Sequence, residues 1–208
     1  MSAAAPVSPS ASQFPDTLPL GSRPVDRTMV VDMVRSTYQQ SRVALLGHLL
    51  GIIVFPAFMW SRSDHRWLAA WAGMFLVLWI ARVVLQRRFD NLDISGAANY
   101  ALWGRLYNIT AYASAAFWAF AVLVFYRDGE DFHRTALMLM IYTYGMGTVQ
   151  DMVLQGRSFV VRTGMYFVPV IAAVLLAGGP HALELAGLWC LMWIGTLSLA
   201  GAFRRVFH

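Results

Sequence analysis

Apolar and polar residues follow one another along this chain in long blocks. Six stretches, residues 43–60, 67–86, 109–126, 135–153, 158–177 and 182–203, are almost continuously apolar. Each is about as long as a ~30 Å hydrocarbon core demands at ~1.5 Å of helix rise per residue. A backbone in hydrocarbon must satisfy its own hydrogen bonds, which leaves helices or a closed barrel, and the short alternating strands of a barrel do not occur here. The expected fold is therefore all-α: a polytopic six-helix transmembrane bundle over residues 43–203. Ahead of it, residues 1–28 are rich in Ala, Ser and Pro and carry neither the basic nor the apolar region of a signal peptide. They read as a disordered cytoplasmic tail. Residues 29–42 place Met29, Val30, Met33, Val34 and Tyr38 at helical spacing near Arg27, Asp32 and Arg35, the pattern of an amphipathic juxtamembrane helix. Residues 204–208 read as the start of a cytoplasmic output connection.

Composition agrees with the pattern. The 208 residues are 58% hydrophobic and 13% charged, whereas soluble domains carry about 25% charged residues. All 16 basic residues are arginine, so the positive charge is permanent. These arginines punctuate apolar stretches instead of gathering on one wet face with aromatics between them, which excludes nucleic acid as a partner. The single cysteine, Cys190, excludes an intrachain disulfide framework and a cysteine-rich zinc site. With the N-terminus in the cytoplasm, inner segments hold twelve arginines and outer segments four (Arg62, Arg66, Arg127 and Arg134). That positive-inside bias places both termini in the cytoplasm. Trp60, Trp67 and Tyr126 fall at outer boundaries as interfacial anchors. The outer loops are short and the longest connection, residues 87–108, is cytoplasmic, so any stimulus is met within the bilayer, at its outer rim or from inside.

The chain lacks the phosphate-binding loop, dinucleotide fingerprint, nucleophile elbow and zinc-protease motifs. No enzymatic activity, cofactor or metal is expected. The polar residues within or at the ends of spans are His48, Tyr142, Tyr144, Gln150, Asp151, Arg162 and Glu184, and an ionisable group in a membrane is a site hypothesis by default. His48 is readily explained by a helix–helix hydrogen bond. Asp151 is followed by Arg157 and Arg162, as in a charge pair near the cytoplasmic surface. Facing inward, Asp151 would instead couple a ligand to the inner helix ends. Arg82 and Arg162, near the ends of their spans, are expected to snorkel to the headgroups. Each outer loop pairs an acid with a histidine: Asp64 and His65; Asp128, Glu130, Asp131 and His133; His181 and Glu184. Their spacing does not converge them on one ion. Aromatics such as Trp71, Trp79, Trp118 and Trp189 either face lipid or line an apolar pocket between helices. Ala111, Ala115 and Ala119, with Gly145, Gly147, Gly187, Gly195 and Gly201, allow close helix approach, and Pro56 and Pro169 are candidate kinks.

The order of these features has a likeness. Tyr38-Gln39-Gln40-Ser41-Arg42, then Ala81-Arg82-Val83-Val84-Leu85-Gln86-Arg87-Arg88, Trp103-Gly104-Arg105, Ser114-Ala115-Ala116-Phe117-Trp118-Ala119, His133-Arg134, Phe167-Val168-Pro169 and Arg204-Arg205 resemble the six-helix N-terminal membrane modules of bacterial diguanylate cyclases, with GGDEF and often EAL domains, and of hybrid sensor histidine kinases. Gly47-His48-Leu49-Leu50-Gly51 through Phe55-Pro56-Ala57-Phe58-Met59-Trp60 is similar to the first span of six-helix quorum-sensing kinases. The resemblance implies a sensory input module in the bacterial inner membrane, dimeric because such outputs act as dimers. It also implies a cytoplasmic output domain, covalent or a partner. None of the residues that perform cyclase or kinase chemistry is present, and Arg204–His208 resembles a cytoplasmic helix cut short. The expected ligand is small and apolar or membrane-derived. His48, Trp118, Tyr142 and Tyr144 are the expected pocket residues, and Asp151 with Arg162 the coupling pair. The alternatives are a small transporter, which calls for inverted repeats and a midplane charge not seen here, and a static dimerising anchor. A lipid-directed enzyme rests only on the outer histidines and acids.

Overall fold

In a computed structural model, residues 27–91, 97–147 and 152–206 are described. They form six helices: α1 (Arg27–Met59), α2 (His65–Asp90), α3 (Ala97–Phe125), α4 (Asp131–Gly147), α5 (Met152–Ala177) and α6 (Ala182–Val206). Five of these contain segments long and apolar enough to cross a membrane: Val34–Met59, His65–Asp90, Leu102–Phe125, Ser158–Ala177 and Ala182–Ala202. α4 covers 17 described residues. The outward faces are apolar too, with Val43, Val77, Leu176, Leu183 and Leu191 exposed, a surface suited to hydrocarbon and far larger than a soluble monomer leaves bare.

The expected surface segment at 29–42 and the first span form one unbroken helix, α1. The cytoplasmic connection expected at 87–108 is mostly helical. α2 continues to Asp90 and α3 starts at Ala97, because Phe89, Tyr100 and Tyr107 are buried against α1. Tyr38 of α1 stacks on Phe89 at 3.9 Å and donates its hydroxyl to the Trp103 carbonyl at 3.1 Å. At the other end Asp64 caps α2 by accepting from the Arg66 N–H at 2.8 Å. The α5–α6 turn depends on Gly178 and Gly179, both at positive φ (67° and 115°). Pro56 and Pro169 lie inside α1 and α5 and deprive the carbonyls four residues earlier of their usual donors.

Helices α1, α3, α5 and α4 pack in a closed ring, with α2 against α1 and α3 and with α6 against α5. Along the half nearer the α1–α2 and α3–α4 turns, the ring is filled. Phe55, Trp71, Phe75, Trp118, Phe125, Ile141 and Phe167 are completely buried, with Trp71 edge-on to Phe55 and Trp118 at 4.8 and 5.5 Å. Trp71, Trp118 and Phe167, for which lipid contact was one expectation, belong to this core. Indole N–H groups tie the helices across: Trp71 donates to the Phe117 carbonyl and Trp79 to the Leu45 carbonyl, each at 2.8 Å.

Candidate ligand-binding site

Between this aromatic core and the Tyr38–Phe89 stack lies a cavity of about 260 Å³. α1 turns Gln40, Ser41, Val43, Ala44, Gly47 and His48 toward it, one helical face by spacing. Arg82 of α2, Tyr107, Ala111 and Ser114 of α3, Thr143, Tyr144 and Gly147 of α4, and Arg162 and Tyr166 of α5 complete the wall. None of these described wall residues is acidic.

Its closed end is built around two glycines. The Tyr144 hydroxyl donates to the Gly47 carbonyl at 2.5 Å, and Trp118 stacks on the Tyr144 ring at 4.5 Å. A Cβ on Gly51 would stand 2.7 Å from the Trp118 ring, so only glycine lets this stack reach α1. His48 sits beside the seal, 5.1 Å from the Tyr144 ring and 5.7 Å from Phe75. Its Nδ1 lies 2.6 Å from the Ala44 carbonyl, which can only accept, so Nδ1 carries a proton. Nε2 is buried without a hydrogen-bond partner among the described residues.

The rear wall is cationic. Arg82, about two turns inside the end of α2, is 7% exposed. Its Nη1 donates to Ser114 Oγ at 3.0 Å, and its guanidinium lies over the Tyr107 ring at 5.9 Å. Ser114 is oriented by donating to the Thr110 carbonyl at 2.9 Å. The neighbouring acid, Asp90, is engaged elsewhere: it accepts from Gln86 Nε2 and Arg42 Nη2, both at 3.1 Å, while Ser41 Oγ donates to Gln86 Oε1 at 2.6 Å. No carboxylate among the described residues pairs with Arg82. Arg162 is 2% exposed. The snorkelling expected of both arginines is therefore not what the fold does. Ser114 and the Tyr107 ring give Arg82 an inward polar environment, and Arg162 is enclosed by the bundle.

Of the expected pocket residues, His48 and Tyr144 line the cavity and Trp118 backs its seal. Tyr142 lies on another face of α4, 6.4 Å from Phe167 and from Trp189. Arg162 is in the wall, and Asp151 lies outside the described residues, as does Gln150. Arg82, Ser114 and Tyr107 join the site without having been expected, and Tyr166, one of the aromatics that either face lipid or line a pocket, lines it. The sequence signal for Arg82 was its charge within an apolar helix, but a helix apolar on every side does not disclose which way one residue faces.

Several histidines and acids of the opposite end are engaged locally. His65 stacks on Trp60 at 4.3 Å and bonds its carbonyl at 2.8 Å. Glu130 pairs with Arg62 at 2.7 Å, and Glu184 with His181 at 2.7 Å. Among the described residues no three such side chains gather as a metal site requires. No protein-family model, curated protein or solved structure matches this chain.

Proposed function

We propose that this chain is the membrane-embedded sensory input module of a bacterial signal-transduction protein, with six spanning helices and both termini in the cytoplasm. It takes a small ligand into the cavity between α1, α3, α4 and α5 and passes the event to a cytoplasmic output through α6. The observation that carries this reading is the cavity itself: a preformed hollow at the end of the bundle where α6 leaves it, mostly apolar in its wall but with the buried Arg82 and Arg162 set into it. Charged groups buried within a membrane-spanning bundle are costly, by about 2.5 kcal/mol or more at the centre of a span on insertion scales, and mark sites where something polar is handled.

α5 serves both the cavity and the proposed output helix. Arg162 and Tyr166 line the cavity, and between them Thr163 Oγ1 accepts the Trp193 indole N–H of α6 at 3.4 Å. One turn earlier, Phe159 packs against Ala200. α4 also reaches α6, where Thr196 meets the Met146 sulfur at 3.4 Å. A ligand that prefers one placement of α5 therefore biases the position of α6, by no more than its difference in affinity for the two packings. Moving an output from 1:99 to 99:1 takes about 5.5 kcal/mol of that difference.

The test is a fusion of residues 1–208 to a dimerisation-dependent cytoplasmic reporter in a bacterial inner membrane, read with and without lipid extract or culture supernatant. A response that Gly164→Leu abolishes supports the reading, because a Cβ at Gly164 already stands 3.4 Å from the Trp193 ring. A constant signal, lost only when helix packing is disrupted, would make the chain a static anchor.

A further inference from the structure

We infer that the ligand is an anionic amphiphile, an oxyanion head on an apolar tail, which enters sideways from the bilayer between α1 and α4 and places its head against Arg82. This deepens the sensory reading and rests on it for the claim that binding has a consequence. Three observations lead to it.

The first is charge. Arg82 is buried in the cavity wall with one hydrogen bond, to Ser114, and no carboxylate partner among the described residues. A guanidinium has five N–H donors in a planar fork that matches carboxylate or phosphate oxygens, so an oxyanion satisfies both the charge and the donors. A neutral apolar ligand, one of the two kinds expected from sequence, would leave them unsatisfied.

The second is the position of the mouth. The deep wall residues Arg82, Ser114, Arg162 and Tyr166 are buried, whereas Gln40 and Val43 of α1 and Thr143 and Gly147 of α4 are exposed. The opening therefore runs along the seam between α1 and α4. Val43 is 76% exposed on this flank, and a Cβ at Gly147 would meet nothing within 4 Å. Such a seam faces acyl chains when the bundle is in a bilayer, and Gly147 leaves it unobstructed.

The third is size. About 260 Å³ lies below the ~300–1,000 Å³ of pockets that enclose a drug-sized molecule. It suits a head group whose tail stays outside, in the hydrocarbon.

The experiment titrates the full chain in phosphatidylcholine nanodiscs, by calorimetry, with three kinds of probe. Dodecanoate and dodecyl phosphate carry head and tail, dodecanol and dodecyltrimethylammonium keep the tail without the anion, and inorganic phosphate and acetate keep the anion without the tail. The expected result is saturable binding of the first group only. Arg82→Gln should weaken it about tenfold to a hundredfold, Arg82→Lys should retain part of it, and Gly147→Leu should reduce it by obstructing the seam. Gly147→Leu alters no buried contact, so its result stands even if Arg82→Gln fails to fold. Equal binding of dodecanol, or indifference to both Arg82→Gln and Gly147→Leu, would overturn the inference. Inorganic phosphate binding as tightly as dodecyl phosphate would overturn the bilayer source in favour of a soluble anion. The reporter fusion separates the two readings: amphiphile binding with a silent reporter would retain the ligand and remove the sensor, whereas a reporter driven by dodecanol would do the reverse.

Discussion

At the level of Trp71 and Trp118 the ring of helices is filled by interlocking aromatic side chains. About three turns along α2, at Arg82, the same ring encloses a hollow whose largely apolar wall carries two guanidiniums, several hydroxyls and an imidazole. In lipid, helices are not driven together by exclusion of water, so a filled interior holds through dispersion contacts and interhelical hydrogen bonds. The aromatic half has both, including the Trp71 bond to the Phe117 carbonyl. The hollow half gives up much of that contact where Ala44, Gly47 and Ala111 replace larger side chains in its wall. Its helices are held instead at its borders, by the Tyr38–Phe89 stack on one side and Tyr144 on Gly47 on the other. One half is thus a scaffold and the other a candidate site, and each can be altered separately.

The largest effect should come from the scaffold. Trp71→Ala removes a completely buried indole, its hydrogen bond and its edge contacts to Phe55 and Trp118. Large-to-small core changes of this kind cost about 3–5 kcal/mol in water-soluble proteins, and about 2–3 kcal/mol is expected where transfer to lipid cancels part of the loss. A thermal melt in detergent followed by near-UV circular dichroism checks this. A loss under about 1 kcal/mol would mean that the aromatic half is not what holds the bundle.

Two alanine substitutions divide the halves more finely. Gly51→Ala drives a methyl against Trp118, where the Cβ would stand at 2.7 Å, so the Tyr144–Trp118 stack must shift at a cost of about 1–3 kcal/mol. Gly147→Ala, with open space around its Cβ, should be neutral or should stabilise by up to about 1 kcal/mol through helix propensity. Paired melts of the two variants give the comparison directly. Equal behaviour would erase the distinction between a closed end and an open mouth.

How far this division was legible in the sequence depends on what each feature needs in order to be seen. Helices follow from apolar runs of membrane length: six are present, and five of them are long and apolar enough to cross a membrane. Their extents were less visible. Residues 97–108 contain Asn99, Arg105 and Asn108 and read as a loop, yet Tyr100 and Tyr107 pack inward and hold them in α3. Which face of a helix looks inward was the least legible property. A soluble helix shows its inner face by an apolar stripe, but α2 is apolar all round, so the direction of Arg82 is set by Ser114 and Tyr107 on α3, far away in sequence. His48 and Tyr144 could be singled out because polar atoms in apolar runs need partners. The hollow they share with Arg82 could not, since a cavity is a property of five helices at once.

The smallest effect tests the border between the halves. Tyr144→Phe keeps the ring that stacks on Trp118 at 4.5 Å and removes only the hydroxyl that donates to the Gly47 carbonyl. Interhelical hydrogen bonds in membranes average about 0.6 kcal/mol, so the melt should shift slightly and the tryptophan near-UV spectrum should persist. Because α1 and α4 form both the seal and the seam, freeing this bond should also loosen the cavity's closed end, raising dissociation of a bound amphiphile more than it lowers stability. A loss of stability approaching that of Trp71→Ala would show that scaffold and site unfold as one packed unit, with Tyr144 a structural member of both. A faster off-rate at nearly unchanged stability would place the border at this hydroxyl and make Gly47 the point where the ligand cavity meets the rigid half.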